Sequence, residues 1–199
     1  MRISTTTFFV ILIFSGCNND KMKSNQNSAF GQALISDKPS EELGEYADYY
    51  QWVIGGWDVK AVDYLSPDKK METLGEWYFS WVLEGRAVQD VWIAPKRELR
   101  KNETSKMRNR YGSTIRTFDP TTKTWTINWF NPVSGAHDML TAKKEGLDIV
   151  QSGIDSEGNR MRWVFTDISV DSFRWYGERS TDGGHTWNLE AEFFGTRKK

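Results

Sequence analysis

Cysteine is nearly missing from this chain: Cys17 is the single one in 199 residues. A lone thiol excludes an internal disulfide. Once it is modified, no thiolate nucleophile or cysteine metal site remains for the folded part. Proline is scarce, at five, and histidine scarcer, at two. His137 and His185 both stand in turn-like surroundings, whereas a zinc site needs three or four convergent ligands. No His-Glu-x-x-His, glycine-rich phosphate loop or strand–Ser–helix nucleophile elbow occurs. The reading therefore includes no metal and no cofactor, and hydrolase chemistry has little support. An excess of one charge is missing too. Lys and Arg number 26 against 27 Asp and Glu, a net charge of -1. Nucleic-acid binders usually carry a large positive excess, so nucleic acid is not an expected partner. Long apolar runs are absent as well. Phe8 to Phe14 is short of the roughly 20 residues that a membrane-spanning helix needs.

That short run has a meaning of its own. Met1-Arg2 precedes it and Ser15-Gly16-Cys17 follows it. A charged end, a short apolar core and a small-residue cleavage site make a secretory signal. The segment resembles a bacterial lipoprotein signal, cut before a cysteine whose thiol then carries a diacylglyceryl group. Phe14 departs from the aliphatic residue usual at its position. The resemblance implies a membrane partner through a lipid anchor at Cys17 and no membrane-spanning segment. Asn18, rather than Asp, follows the cysteine, which favours the outer membrane over inner-membrane retention. From Asn18 to Lys38 the chain is mostly polar and reads as a tether. The expected organisation is residues 1–16 signal peptide, 17–38 lipidated tether, 39–194 one folded domain and 195–199 a C-terminal tail.

The domain opens with one expected helix. Ser40 suits its N-cap and Glu41-Glu42 its first turn, while Leu43, Ala47, Tyr50 and Ile54 share a face. Gly55-Gly56 ends it. From Trp57 onward the period is two. Ten strands are expected, over 57–61, 77–84, 87–94, 113–118, 124–130, 138–142, 147–153, 160–166, 172–179 and 186–194. Asp119-Pro120, Asn131-Pro132, Asp155 to Asn159 and Asp182-Gly183-Gly184 punctuate them. Joins this short demand antiparallel neighbours, since parallel crossovers need a dozen or more residues. The fold class is all-β, an antiparallel up-and-down barrel of about ten strands with one N-terminal helix. A sandwich is the alternative.

The two faces differ in chemistry. Trp77, Phe79 and Trp81 alternate with Tyr78, Ser80 and Val82. Val88, Asp90 and Trp92 oppose Gln89, Val91 and Ile93. Trp125-Ile127-Trp129, Met161-Trp163-Phe165, Phe173-Trp175 and Trp187-Leu189-Ala191-Phe193 continue the apolar rows. Apolar burial places this face inside the barrel. The charged face, with Glu84, Arg116, Arg162, Arg174, Glu178, Glu190 and Glu192, is expected in water. These side chains could fill the barrel or leave an aromatic-walled pocket; the indoles, whose N–H groups need partners, add weight to the pocket, and volume decides between the two.

Several fragments carry a resemblance. They are Gly75 to Arg86, Gln89 to Trp92, Tyr111 to Pro120, Trp163 to Ile168, Asp171 to Trp175 and Asp182 to Trp187. Together they resemble an uncharacterised bacterial family of small lipocalin-like proteins, in the wider calycin group of ligand-binding barrels. Gly55-Gly56-Trp57 is loosely similar to the Gly-x-Trp of a lipocalin first strand. The resemblance implies a barrel able to hold a small apolar molecule, and it supplies no catalytic residues.

The expected function is binding of a small apolar or aromatic-bearing molecule in a Trp-lined barrel. Trp77, Trp81 and Trp163 would form walls. Arg86, in a turn taken to lie beside the mouth, and Arg110, at the end of the basic run 95–110, would orient a polar end. One alternative is a barrel enzyme of isomerase, cyclase or hydratase type, with Glu84 and His137 as an acid–base pair. Another is an envelope-interaction domain with a solid core.

Overall fold

The computed structural model describes residues 28–100 and 110–199. Cys17 and the signal-like segment, like Lys101, Lys106 and Arg108 of the basic run, lie outside the described residues. The chain divides into Met1–Ala33 and Leu34–Lys199. In the first unit, residues 29–33 belong to a short helix, α1 (Ala29–Leu34), within the stretch expected as tether.

The second unit is a barrel. A two-residue strand, β1 (Ile35–Ser36), pairs with the end of the long strand β3 (Lys69–Val82). The barrel strands are β2 (Gly55–Ser66), β3, β4 (Ala87–Ala94), β5 (Arg110–Asp119), β6 (Thr124–Asn131), β7 (Ala136–Glu145), β8 (Asp148–Ile154), β9 (Arg160–Thr166), β10 (Ser172–Ser180) and β11 (Asn188–Arg197). Each pairs antiparallel with the next, and β11 pairs with β2 to close the circle. Closure leaves no barrel edge unpaired. The ten expected strands are therefore the ten observed. β2 and β3 are longer than the hydrophobic alternation indicated, and β11 continues through Arg197.

The residues expected as one α-helix form two 3-10 segments, Glu41–Tyr49 and Gln51–Val53. Ser40 Oγ does accept the Glu42 N–H, at 3.4 Å. Gly44 interrupts the first segment at φ 51°, ψ -131°, a conformation open to glycine. The buried residues Ala47, Tyr50 and Val53 then recur every third position, the period of a 3-10 helix. The Tyr50 N–H donates to Ala47 O and the Val53 N–H to Tyr50 O, each at 3.1 Å.

These segments plug one end. Trp57 and Trp125 are fully buried there. Trp57 Nε1 donates to Val53 O at 2.7 Å and Trp125 Nε1 to Tyr46 O at 3.1 Å, so the indoles are satisfied by plug carbonyls. Arg197 locks the arrangement from the last strand. It donates to Trp52 O and Ile54 O at 2.6 and 2.8 Å, and its guanidinium lies 4.2 Å from the Trp57 ring centre. Glycines make room for rings elsewhere on the inner wall. A Cβ on Gly75 would lie 2.5 Å from the Trp92 ring, and one on Gly195 2.4 Å from Phe173.

Outside the barrel, Glu76 is buried among its partners. It accepts from the Arg97 backbone N–H at 2.7 Å, the Arg97 guanidinium at 3.0 Å and the Tyr78 hydroxyl at 2.5 Å. Arg97 first, and then the Tyr78 hydroxyl, hold its carboxyl well below the usual carboxylate range, against desolvation. A depressed folded value stabilises the fold above the unfolded pKa, about 4.3, and that contribution is lost as pH falls from there through the depressed value. Glu76→Gln is therefore expected to be less stable than wild type at neutral pH, with the gap narrowing below about pH 4. Urea unfolding across that range checks it; a constant gap would remove the carboxylate as the cause.

Candidate functional site

Among the described residues, the end opposite the plug is open. The connections after β2, β6, β8 and β10 all turn there, because every barrel strand that starts at the plug ends at the mouth. Inside lies a cavity of about 520 Å³, within the roughly 300–1,000 Å³ typical of small-molecule sites.

Its walls are aromatic. Trp92 stacks on Phe193 at 4.6 Å and Phe193 on Trp175 at 4.5 Å. Trp163 lies 5.9 Å from Trp175 and also 5.9 Å from Trp129, the last pair edge-on at 86°. Trp77 completes the arc beside Trp92 and Trp175. Trp175 and Trp77 are buried, but Trp129 and Trp163 are half-buried. Indoles on the inward face keep that exposure because they border empty space.

The floor is polar. Asp90 and Arg116, both 1% exposed, form an ion pair at 2.6 Å. Asp90 Oδ1 accepts the Thr114 N–H at 3.1 Å. Gln151 Oε1 accepts from Arg116 Nε at 3.4 Å and from the Tyr50 hydroxyl at 3.3 Å. Burial pushes the Tyr50 hydroxyl pKa up, against the opposing charge of Arg116, so it remains a donor. This network ties the plug to the cavity through Tyr50.

Arg116 corrects the expectation of a solvated charge. Cross-strand partners share a face, and Arg116 pairs with Val88 on one side and Ile127 on the other, both inward. Asp90 lies between Val88 and Trp92 on an otherwise apolar face, a signal the sequence carried and the reading passed over. A carboxylate in such a row needs a buried partner, and Arg116 is that partner.

At the mouth, Arg110 Nη1 meets Asp63 Oδ1 at 2.8 Å, and Arg179 pairs with Asp155 and with Glu190, the latter at 2.6 Å. Asp138, half-buried on the inner face opposite Trp129, has its carboxyl pKa raised by burial. Glu190 reaches this rim through a bulge. Gly177 pairs with Ala191 but Glu178 with Leu189, so one extra residue stands in β11. One inserted residue exchanges the faces beyond it. The same bulge corrects the inward reading of Trp187 and Leu189. Trp187 precedes β11 and carries the Arg162 guanidinium 4.2 Å from its ring centre. Arg162, Glu178, Arg174 and Glu192 stay on the outer face as two ion pairs, each 2.5 Å.

Of the residues singled out as walls and anchors, Trp77, Trp163 and Arg110 line the cavity. Trp81 does not. It is 2% exposed near the plug, 6.5 Å from Trp125. Arg86 lies at the wrong end, in the turn after β3 on the plugged side, where it pairs with Glu42 at 3.1 Å and Glu84 at 2.6 Å. Glu84 shares that turn, while His137 is exposed near the mouth and stacks on Phe130 at 4.7 Å. Glu84 and His137 are thus at opposite ends and do not converge.

No protein-family model and no curated protein matches the sequence. Among solved structures the chain is similar to an S-type phycobiliprotein lyase, CPES, from Guillardia theta. The TM-score is 0.53 at 12% identity, over 80% of this chain and 96% of that one. Two redesigned beta barrels, the second bound to DFHBI, align at TM-scores of 0.41 and 0.39. Their identities are 12% and 14%, over 76% and 74% of this chain and 96% and 100% of theirs. At 12% identity the likeness to the lyase is one of fold alone, a closed antiparallel barrel.

Proposed function

We propose that this protein binds a small, flat, largely apolar molecule in the barrel cavity, at a membrane surface to which Cys17 anchors it. One observation carries the binding reading: Trp129 and Trp163 turn inward yet keep accessible surface against a cavity of about 520 Å³. Each Å² of that surface covered by a ligand stabilises the complex by about 25 cal/mol. The open cavity favours this reading over an interaction domain with a solid core.

N-phenyl-1-naphthylamine, a neutral aromatic probe, is expected to brighten and to quench tryptophan emission saturably. Trp163→Ala removes a wall and weakens the probe on the order of tenfold. Trp187→Ala removes an outer indole and leaves the affinity unchanged. No saturable response, or equal losses in the two variants, would sink the cavity as the site.

The anchor rests on Phe8 to Phe14 followed by Ser15-Gly16-Cys17. Expressed in a bacterium, the wild type takes up radiolabelled palmitate and Cys17→Ala does not. Label in the variant, or a mature N-terminus other than Cys17, would end the anchored reading. The outer membrane is the proposed address, and its fractionation with outer-membrane markers is the corresponding check.

A further inference from the structure

We infer that the cavity takes its ligand acceptor-first: a neutral, planar, conjugated molecule whose carbonyl-type oxygen accepts a hydrogen bond from Arg116 at the floor. This rests on the binding reading above and adds the polar half of the ligand to it.

Arg116 is buried from solvent and lines the cavity. A guanidinium carries five N–H donors in a fixed fork and stays protonated. Nη1 donates to Asp90 and Nε to Gln151, while Nη2 makes no hydrogen bond among the described residues. Arg116 thus keeps donor capacity in the cavity lining, and a charge-assisted hydrogen bond there favours a ligand oxygen over the same oxygen against apolar walls. Trp77 Nε1 and Arg110 Nη2, both in the cavity lining, are buried donors without a partner among the described residues.

Charge selects a neutral acceptor. Among the described residues the cavity is lined by six carboxylates and three guanidiniums. Arg116 is balanced by Asp90, Arg110 by Asp63, and Arg179 by Asp155 and Glu190. An anionic ligand would meet a lining whose described carboxylates outnumber its guanidiniums, with each of these three arginines already paired to a carboxylate. A carbonyl oxygen takes the hydrogen bond without bringing a charge. The indole faces of Trp129 and Trp163 favour a flat body above it.

The test uses three related probes on the purified protein: fluorene, fluorenone and fluorene-9-carboxylate, each titrated against tryptophan emission. Fluorenone is expected to bind about tenfold more tightly than fluorene, and fluorene-9-carboxylate more weakly than fluorene. In Asp90→Asn/Arg116→Met, which removes both charges together, the ratio of fluorenone to fluorene affinity should fall from about ten to about one. The infrared carbonyl stretch of bound fluorenone should lie below its position in an apolar solvent, and return towards it in the double variant. Equal binding of fluorene and fluorenone by the wild type overturns the inference and leaves the binding reading standing. Binding of neither overturns both. A preference for fluorenone that survives in the double variant removes Arg116 from the role. Should that variant fail to fold, an unshifted carbonyl stretch in the wild type overturns the inference by itself.

Discussion

Arg116→Met is expected to destabilise the fold by about 3–5 kcal/mol, the usual cost of breaking a buried ion pair from one side. The methionine has room for its chain, so lost volume is not the main effect. Asp90 is 1% exposed and accepts from Arg116 at 2.6 Å. Without the guanidinium, its carboxylate keeps the Thr114 N–H and no opposite charge. Tyr50 and Gln151 lose their link to the floor as well, because Gln151 Oε1 is shared between Arg116 and the Tyr50 hydroxyl. Asp90→Asn/Arg116→Met leaves no buried charge and is expected to recover much of the loss, since an Asn oxygen still accepts from Thr114. Urea denaturation of the wild type, both single variants and the double variant completes the cycle. A loss under about 1 kcal/mol in Arg116→Met would mean that water reaches the pair.

Trp57→Ala is expected to cost a similar amount, about 3–5 kcal/mol, by a different route. The indole is fully buried at the plugged end and gives up three attachments at once. These are the hydrogen bond to Val53 O at 2.7 Å, the edge-on contact with Phe173 at 4.8 Å and the platform under the Arg197 guanidinium. The surrounding strands belong to a closed barrel and cannot collapse into the space, so most of the cavity term survives. Trp163→Ala is expected to cost clearly less, because that indole already borders an opening and its removal enlarges an existing cavity. Thermal and denaturant unfolding of the two variants side by side makes the comparison. Equal losses would mean that Trp163 is packed as tightly as Trp57, against the observed half-exposure.

The strand count, the strand positions and the inward direction of most Trp and Phe residues were legible in the amino-acid order. Alternation such as Trp77-Phe79-Trp81 against Tyr78-Ser80-Val82 is a local property, and burial of one face follows from it wherever the strand is paired. Short joins then dictated antiparallel neighbours. The 3-10 character of the plug was not read: Leu43, Ala47, Tyr50 and Ile54 fit an α-helical face, and the dihedral of Gly44 shows why an α-helix does not run through. The candidate site was less legible. Trp77 and Trp163 were placed on the cavity by their face and Arg110 by the basic run it closes, whereas Trp81 shares Trp77's face and lies near the plug instead.

What the sequence by itself determined, then, is the all-β meander and its aromatic interior, because periodicity and turn chemistry act over a few residues. The tertiary structure alone decided the rest. Arg116 points inward because register sets it between Val88 and Ile127. Trp187 lies outside and Glu190 at the rim because a single bulge in β11 exchanges the faces. Arg86 is remote from the mouth because the plug occupies its end of the barrel. The cavity of about 520 Å³ exists because closure of ten strands encloses more volume than the indoles fill. Register, bulge and closure are relations between segments far apart in the chain. Their energies are summed over the whole circle of strands, and no window of residues contains them.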